Sequence, residues 1–189
     1  GKKLVDEVKA KTGKDKIVVF QSFGRGTIND NGIIGDPSGR SFEAENTVNL
    51  VKKLSKHFGV IFMSEIAIEF QKHGVKEPIA IPQNIELRFW LGIIEEADYF
   101  LGCDSVGQHV VHALKKPGTV VIGSTFPENI SYPESTTLKI IDNGIGERKY
   151  SPLRVAIDIR IDRQNENLMK LSSDTKKKIV KQIKDTLGK

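Results

Sequence analysis

The sequence of 189 residues contains a single cysteine, Cys103. One cysteine cannot build an internal disulfide framework, and it cannot supply the paired ligands of a cysteine-based metal site. We therefore expect no redox role. The hydrophobic fraction of 38% is enough for one sizeable core, and the length is short for two, so residues 1–189 are interpreted as a single domain.

Long apolar runs are also missing. No stretch approaches the roughly 20 apolar residues that span a bilayer, so no transmembrane segment is expected. The amino terminus opens with Gly1, Lys2 and Lys3 and lacks the apolar stretch of a secretory signal. These features predict a cytoplasmic setting.

Positive charge is in excess, with a formal net charge of +5, but much of the excess comes from the two ends of the chain. Lysine runs of this kind are usually solvated helix faces, and no aromatic residues alternate with them as in single-strand binders. We therefore expect no specific nucleic-acid partner, whereas phosphate-bearing ligands are compatible. The lysines concerned are Lys2, Lys3, Lys9, Lys11, Lys14 and Lys16, and Lys176, Lys177, Lys178, Lys181, Lys184 and Lys189.

Short apolar runs alternate with segments of helical periodicity. Strands are predicted near residues 17–20, 60–63, 79–81, 99–103 and 119–122, with amphipathic helices between most of them. This alternation predicts an α/β fold, a Rossmann-like doubly wound parallel sheet. The pattern is weaker after Pro133, where residues 138–141 and 153–161 are interpreted as strands. Residues 173–189 are predicted as a carboxy-terminal helix.

In such sheets ligands bind beyond the carboxyl ends of the strands, and three segments there carry suitable side chains. The first follows residue 21, where glycines permit close approach and Ser22 and Arg25 can bind phosphate oxygens. It matches neither a dinucleotide fingerprint nor a Walker loop. The alternative for this segment is an ordinary turn with a solvated arginine.

The strongest signal is residues 103–109, which pass from a strand end into a helix start. Free amides at a helix start favour an anion, and Gly107 allows close approach. Ser105 and His109 can donate to the same oxygens, and Asp104 is expected to cap the helix or to accept from a sugar hydroxyl. The alternative is that these residues only cap and pack.

The third segment is residues 123–127, again directly after a buried strand. The hydroxyls of Ser124 and Thr125, with nearby amides, can complete a phosphate cradle, or the segment is a plain turn.

The order and spacing of these residues resemble the carboxy-terminal domain of the heptosyltransferase-like glycosyltransferases, family nine of the GT-B type. The matching residues are Asp104, Ser105, Val106, Gly107 and His109, then Ala113, Lys116, Pro117 and residues 123–127. Upstream, residues 40–42 and the following helix are similar to the family's basic residue before its first helix. The chain departs from the family's usual residues at three of these positions. It has Arg40 where the family has lysine, Val106 where it has glycine or alanine, and Ser124 where it has proline.

The resemblance implies that this chain is the donor-binding half of a glycosyltransferase with an ADP-heptose-like nucleotide-diphosphate sugar as substrate. Asp104, Ser105, Val106, Gly107 and His109 would lie near the diphosphate and sugar, with Ser22, Arg25, Arg40, Ser124 and Thr125 as further partners. Glu69 or Glu65 would contact the ribose.

The resemblance also implies what lies outside this chain. The catalytic base is expected in an amino-terminal acceptor domain that is missing here, so the catalytic residues are unknown. Residues 1–14 are then interpreted as an interdomain connection. The acceptor would be a glycan, such as a lipopolysaccharide, or another lipid-linked molecule, and neither a metal nor another cofactor is expected.

Two alternatives remain open from the sequence. One is a catalytically silent module that binds a nucleotide or sugar phosphate and has a structural role. The other is a basic nucleic-acid-binding protein, which the absence of a recognition motif disfavours.

Overall fold

The computed structural model describes residues 1–149 and 165–188. The helices are α1 Lys2–Thr12, α2 Ala44–Leu54, α3 Leu87–Glu96, α4 Val106–Ala113, α5 Pro127–Ile130 and α6 Ser173–Leu187. The strands are β1 Ile17–Gln21, β2 Ile28–Asp30, β3 Ile33–Gly35, β4 Gly59–Phe62, β5 Tyr99–Gly102, β6 Gly118–Ile122 and β7 Leu138–Asp142. A short 3₁₀ helix spans Phe70–His73.

Five strands form one parallel sheet in the order β4-β1-β5-β6-β7. Helices cover both faces, which explains why β1, β4, β5 and β6 are buried at every position. One face packs against α2 and α6 through side chains such as Phe20 and Ile179. The other packs against α1, α3 and α4 through side chains such as Val19 and Val111. The predicted doubly wound α/β sheet is confirmed.

The amino-terminal helix α1 packs against the core. Val5 and Val8 are 2% and 4% exposed, and they belong to the same apolar cluster as Ile17 of β1. Residues 2–12 are thus part of the folded unit, and their further role as an interdomain connection stays a prediction.

Two segments differ from their predicted structure. Residues 79–81 form no extended strand but a single bridge between Ala80 and Ile61, because the flanking Pro78 and Pro82 donate no amide to a ladder. The glycine-rich loop after β1 contains the antiparallel hairpin β2–β3, and its turn residues Asn31 and Gly32 have φ of 51° and 88°. Asparagine followed by glycine is the preferred pair for such a turn.

The end of the chain follows its predicted pattern where it is described. Strand β7 confirms the strand expected at residues 138–141, and α6 lies where the apolar stripe predicts a helix. Ser172 caps α6 by accepting a hydrogen bond from the Thr175 amide at 3.0 Å. The strand expected at residues 153–161 falls outside the described residues. No helix in the described parts of the chain is both long and apolar enough to cross a membrane.

Candidate functional site

The carboxyl ends of the parallel strands meet at one edge of the sheet. The strand order reverses between β1 and β5, since β4 lies on one side of β1 while β5, β6 and β7 follow on the other. Ligands of open α/β sheets bind in the crevice at such a reversal. Two groups of side chains occupy this edge, which we call the open cleft and the closed cluster.

The open cleft has a volume of about 500 Å³, within the range of about 300–1,000 Å³ typical of small-molecule pockets. Its lining combines polar residues, among them Arg25, Ser105 and Glu65, with apolar residues such as Ile85 and Trp90. The lining residues are Gln21, Phe23, Gly24, Arg25, Thr27, Ser64, Glu65, Ile66, Ile85, Leu87, Trp90, Ser105 and Val106.

The closed cluster consists of Asp36, Arg40, Asp104, Ser124 and Thr125. Asp104 is 7% exposed, and its Oδ1 accepts from Gln108 Nε2 at 3.0 Å. Its Oδ2 accepts from Thr125 Oγ1 at 3.1 Å and lies 3.8 Å from Arg40 Nη1. Ser124 donates to the Gly39 carbonyl at 2.9 Å, which joins the loop after β6 to the loop after β1.

The prediction that Asp104 caps helix α4 is wrong. The N-cap residue is Ser105, whose own side chain makes no capping hydrogen bond. The Asp104 carboxylate instead accepts from the side chains of Gln108 and Thr125.

The start of α4 is instead contacted by Gln21, which is 3% exposed. Gln21 Oε1 accepts from the Gly107 amide at 3.1 Å, and its Nε2 donates to Ser105 Oγ at 3.2 Å. A Cβ on Gly107 would overlap Gln21 Oε1 and lie 2.5 Å from Phe100 Cζ. The close approach that the sequence predicts at Gly107 is therefore made by the protein's own atoms.

Asp36 is a buried carboxylate in the loop after β1 that the sequence motifs did not reveal. It is 6% exposed and accepts from the amides and hydroxyls of Ser38 and Ser41. An aspartate that accepts from the amide two residues later forms a local turn, so the aspartate and following serines were the available signal.

The two α4 histidines lie apart from both groups. His109 is exposed, and its Nδ1 is 2.9 Å from Tyr132 Oη. His112 stacks on the Tyr132 ring with centroids 3.6 Å apart, and thus has a packing role. The structure pairs the His109 ring with Tyr132. A contact of His109 with phosphate stays a prediction.

The other predicted residues fall in different places. Arg25, Ser105, Val106 and Glu65 line the open cleft, whereas Arg40, Asp104, Ser124 and Thr125 belong to the closed cluster. Ser22 is fully buried, and its Oγ has no hydrogen-bond partner within the described residues. Glu69 is exposed and pairs with Lys72 at 2.6 Å, and it does not line the cleft.

Searches with family models and among curated proteins give no match. Solved structures do match. They include E. coli ADP-heptose lipopolysaccharide heptosyltransferase II, with a TM-score of 0.61 and 12% identity over 99% of this chain and 52% of that one.

A second match is a family nine glycosyltransferase from Veillonella parvula, with a TM-score of 0.62 and 11% identity over 97% of this chain and 50% of that one. A third is E. coli heptosyltransferase WaaC with ADP, with a TM-score of 0.56 and 13% identity over 88% of this chain and 43% of that one.

The chain has the Rossmann-like α/β fold of part of these heptosyltransferase-like structures. It spans about half the length of these structures. The predicted resemblance to family nine is thus confirmed for the fold.

In this heptosyltransferase-like fold the single cysteine lies beneath the closed cluster. Cys103 is fully buried after β5. Burial raises the pKa of its thiol, and the carboxylates of Asp104 and Asp36 raise that pKa further. A protonated, buried thiol is a poor nucleophile, so Cys103 is a packing residue.

Arg148 is a further arginine at the same edge that the sequence did not suggest. Its side chain is 6% exposed, pairs with Asp142 and donates from Nε to the Gly123 carbonyl at 2.6 Å. The guanidinium also lies 5.1 Å from the centre of the Phe126 ring. These contacts hold the ends of β6 and β7 together.

The lysine-rich surface lies elsewhere, in a groove between α2 and α6. Two of its lysines are paired, Lys177 with Asp174 at 3.0 Å and Lys181 with Asp185 at 2.5 Å. We call it the lysine groove, and it is lined by Lys53, Lys56, His57, Lys177, Val180, Lys181, Lys184 and Asp185.

No group of three or more histidine, cysteine or carboxylate side chains able to hold a metal occurs in residues 1–149 and 165–188. The expectation that no metal or other cofactor is needed stays a prediction.

Proposed function

We propose that this domain binds the nucleoside diphosphate of a sugar donor, as the carboxy-terminal half of a GT-B glycosyltransferase. The observation that carries the proposal is the open cleft at the strand-order reversal, which Arg25, Ser105 and Glu65 line together with apolar residues. A nucleotide needs this combination, because it joins a flat base, a hydroxyl-rich ribose and a charged diphosphate.

The polar part of the cleft suits the diphosphate. Arg25 is exposed and forms no ion pair among the described residues, so its charge is available to a phosphate. Ser105 is the N-cap of α4, where the positive end of the helix dipole favours an anion. The Val106 amide belongs to the same turn.

The apolar part suits a nucleobase and its ribose. Ile66, Ile85 and Trp90 offer partly buried apolar surface, and Glu65 is an exposed carboxylate that can accept from ribose hydroxyls. Glu65 therefore fits the ribose role better than Glu69, whose carboxylate pairs with Lys72 outside the cleft.

The closed cluster suits the distal phosphate and the sugar. Arg40 and the amides of the neighbouring loops would stabilise the charge that develops on the departing diphosphate. Asp104 would accept from a sugar hydroxyl, with Thr125 and Gln108 fixing its carboxylate. The general base and the acceptor site would come from a second domain, in an inverting transfer.

The fold and the cleft together support the proposed donor class. Structural neighbours include a heptosyltransferase solved with ADP, which supports an ADP-heptose-like donor. The acceptor would be a lipopolysaccharide or another glycan or lipid-linked molecule, and the setting would be cytoplasmic.

Calorimetric titration of the domain with ADP, UDP and GDP tests the proposal. We expect one diphosphate to bind with micromolar to millimolar affinity and the affinity to fall in Asp104→Ala. His109→Ala should weaken binding less, because the structure pairs His109 with Tyr132. A folded wild-type chain that binds none of the three would contradict the proposal.

A second candidate is a silent module that binds the same nucleotide without transfer. It is favoured because groups expected to contact the donor already have partners within the protein. Arg40 Nη1 lies 3.8 Å from Asp104 Oδ2, and the Gly107 amide at the α4 start donates to Gln21. Sugar release from ADP-heptose by a longer chain that carries the second domain would exclude this candidate.

A further inference from the structure

We propose that Asp36 is a positioning residue that sets both arginine-bearing segments of the donor site, an inference that rests on the proposed function. The Asp36 carboxylate is 6% exposed and accepts four hydrogen bonds. One oxygen accepts from Ser38, which accepts from Arg40, and the other accepts from Ser41, which accepts from the Gly24 amide next to Arg25.

The first oxygen acts on Arg40. Asp36 Oδ1 accepts from the Ser38 amide at 2.8 Å and from the Ser38 hydroxyl at 2.5 Å. Because that hydroxyl proton is donated to Asp36, the Ser38 oxygen is free to accept, and Arg40 Nε donates to it at 3.1 Å. The guanidinium is thereby held with Nη1 at 3.8 Å from Asp104 Oδ2.

The second oxygen acts on the segment that carries Arg25. Asp36 Oδ2 accepts from the Ser41 amide at 3.0 Å and from the Ser41 hydroxyl at 2.5 Å. The Ser41 oxygen then accepts from the Gly24 amide at 2.9 Å and lies 2.8 Å from Thr27 Oγ1, which must be the donor in that pair. Gly24 and Thr27 flank Arg25 on the wall of the open cleft.

The backbone of Asp36 is fixed as well. Its carbonyl accepts from the Gly39 amide at 2.9 Å and from Asn165 Nδ2 at 3.0 Å. Gly39 has a φ of 64°, and Ser124 binds its carbonyl. The backbone turn from residue 36 to residue 39 is therefore held by Ser124 of the loop after β6 and by Asn165.

Only a carboxylate satisfies this arrangement. All four groups that face Asp36 are donors, and a carboxylate offers acceptors on both oxygens. An asparagine has an NH₂ group in place of one carboxylate oxygen. In either orientation of its amide, that NH₂ group would face the amide and hydroxyl donors of Ser38 or of Ser41, and the hydrogen bonds to that serine would be lost. Asp36→Asn thus changes hydrogen bonding with almost no change of volume.

The test is titration of wild type and Asp36→Asn with ADP and with adenosine, which lacks the phosphates. We expect Asp36→Asn to lower ADP affinity about tenfold while adenosine affinity changes less than about twofold. Asp30→Asn is the matched control, because Asp30 lies in the same loop on the exposed hairpin strand β2 and should change neither affinity.

A double-mutant cycle separates positioning from loss of structure. In an Arg40→Ala background, Asp36→Asn should cost less ADP affinity than it does in the wild type, because part of its effect passes through Arg40. If Asp36→Asn does not fold, Ser38→Ala serves instead. Ser38→Ala removes only the hydroxyl that links Asp36 to Arg40. It should lower ADP affinity about threefold and leave adenosine affinity unchanged.

The outcomes are distinguishable. A wild-type chain that binds ADP, together with folded Asp36→Asn or Ser38→Ala chains that bind it equally well, would overturn this inference alone. Fully additive losses in the cycle, or equal losses for ADP and adenosine, would also overturn it. A wild-type chain that binds no nucleoside diphosphate would overturn the proposed function and this inference with it.

Discussion

The open cleft and the closed cluster share one edge of the sheet, and each contains an arginine from the loop after β1. They differ in how those arginines are used. Arg40 donates to Ser38 and lies near Asp104, whereas Arg25 is exposed and has no ion pair among the described residues. The comparison teaches that motif residues with similar chemistry divide into those that organise the site and those left available to a ligand.

Removal of the Asp104 carboxylate should produce the largest change. In Asp104→Ala the buried donors of Gln108 and Thr125 and the Arg40 guanidinium lose their acceptor. Because buried donors without an acceptor destabilise the folded state, we expect the free energy of unfolding, measured by urea denaturation, to fall by about 2–4 kcal/mol. Asp30→Ala, in the exposed hairpin, is the control, and equal unfolding midpoints for the two variants would show that the cluster contributes little.

Cys103 reports directly on how tightly the cluster is closed. It is the only thiol in the chain, it is fully buried, and burial raises its pKa. We expect a thiol reagent to modify the folded chain at least about a hundredfold more slowly than the urea-unfolded chain. Comparable modification rates in the folded and unfolded chains would mean that the closed cluster opens readily. The closed cluster would then not differ from the open cleft in accessibility.

Gly107→Ala should separate packing from ligand approach at the start of α4. The added methyl group would overlap Gln21 Oε1 and the Phe100 ring, and overpacking usually outweighs the helix preference of alanine. We expect a net loss of about 1 kcal/mol in the free energy of unfolding. Gly35→Ala, where a Cβ meets nothing within 4 Å, should change it by less than about 0.5 kcal/mol.

Arg25→Ala should leave stability almost unchanged, because the side chain is exposed and lines the cleft. We expect less than about 0.5 kcal/mol in the free energy of unfolding. The affinity for the preferred nucleoside diphosphate should nevertheless fall about tenfold in calorimetric titration. Arg88→Ala removes the same charge from an exposed residue that does not line the cleft, and an equal loss there would point to unspecific attraction.

The sequence contains most of the information needed for the sheet. Buried β-branched runs such as that of β1 are local signals, and they place the three loop segments at one edge. The turn at Asn31 and Gly32 was also readable, although the hairpin was not predicted from it.

The site is less predictable, because its contacts join distant parts of the chain. Gln21 and Gly107 are 86 positions apart, and Ser124 and the Gly39 carbonyl are 85 apart. No local pattern shows that Gln21 reaches the α4 start or that Asp104 faces Thr125 rather than the helix amides. The role of Asp36 depends in the same way on Gly24, which only the folded loop brings to Ser41.

The most direct test of the central claim is amide chemical-shift mapping of the folded domain during titration with ADP. The account predicts saturable shifts at Gly24, Arg25, Ser105 and Val106, the residues around the open cleft. The competing location for an anion is the lysine groove between α2 and α6. Shifts confined to that groove, with the cleft amides unmoved at saturation, would contradict a nucleotide site at the strand-order reversal.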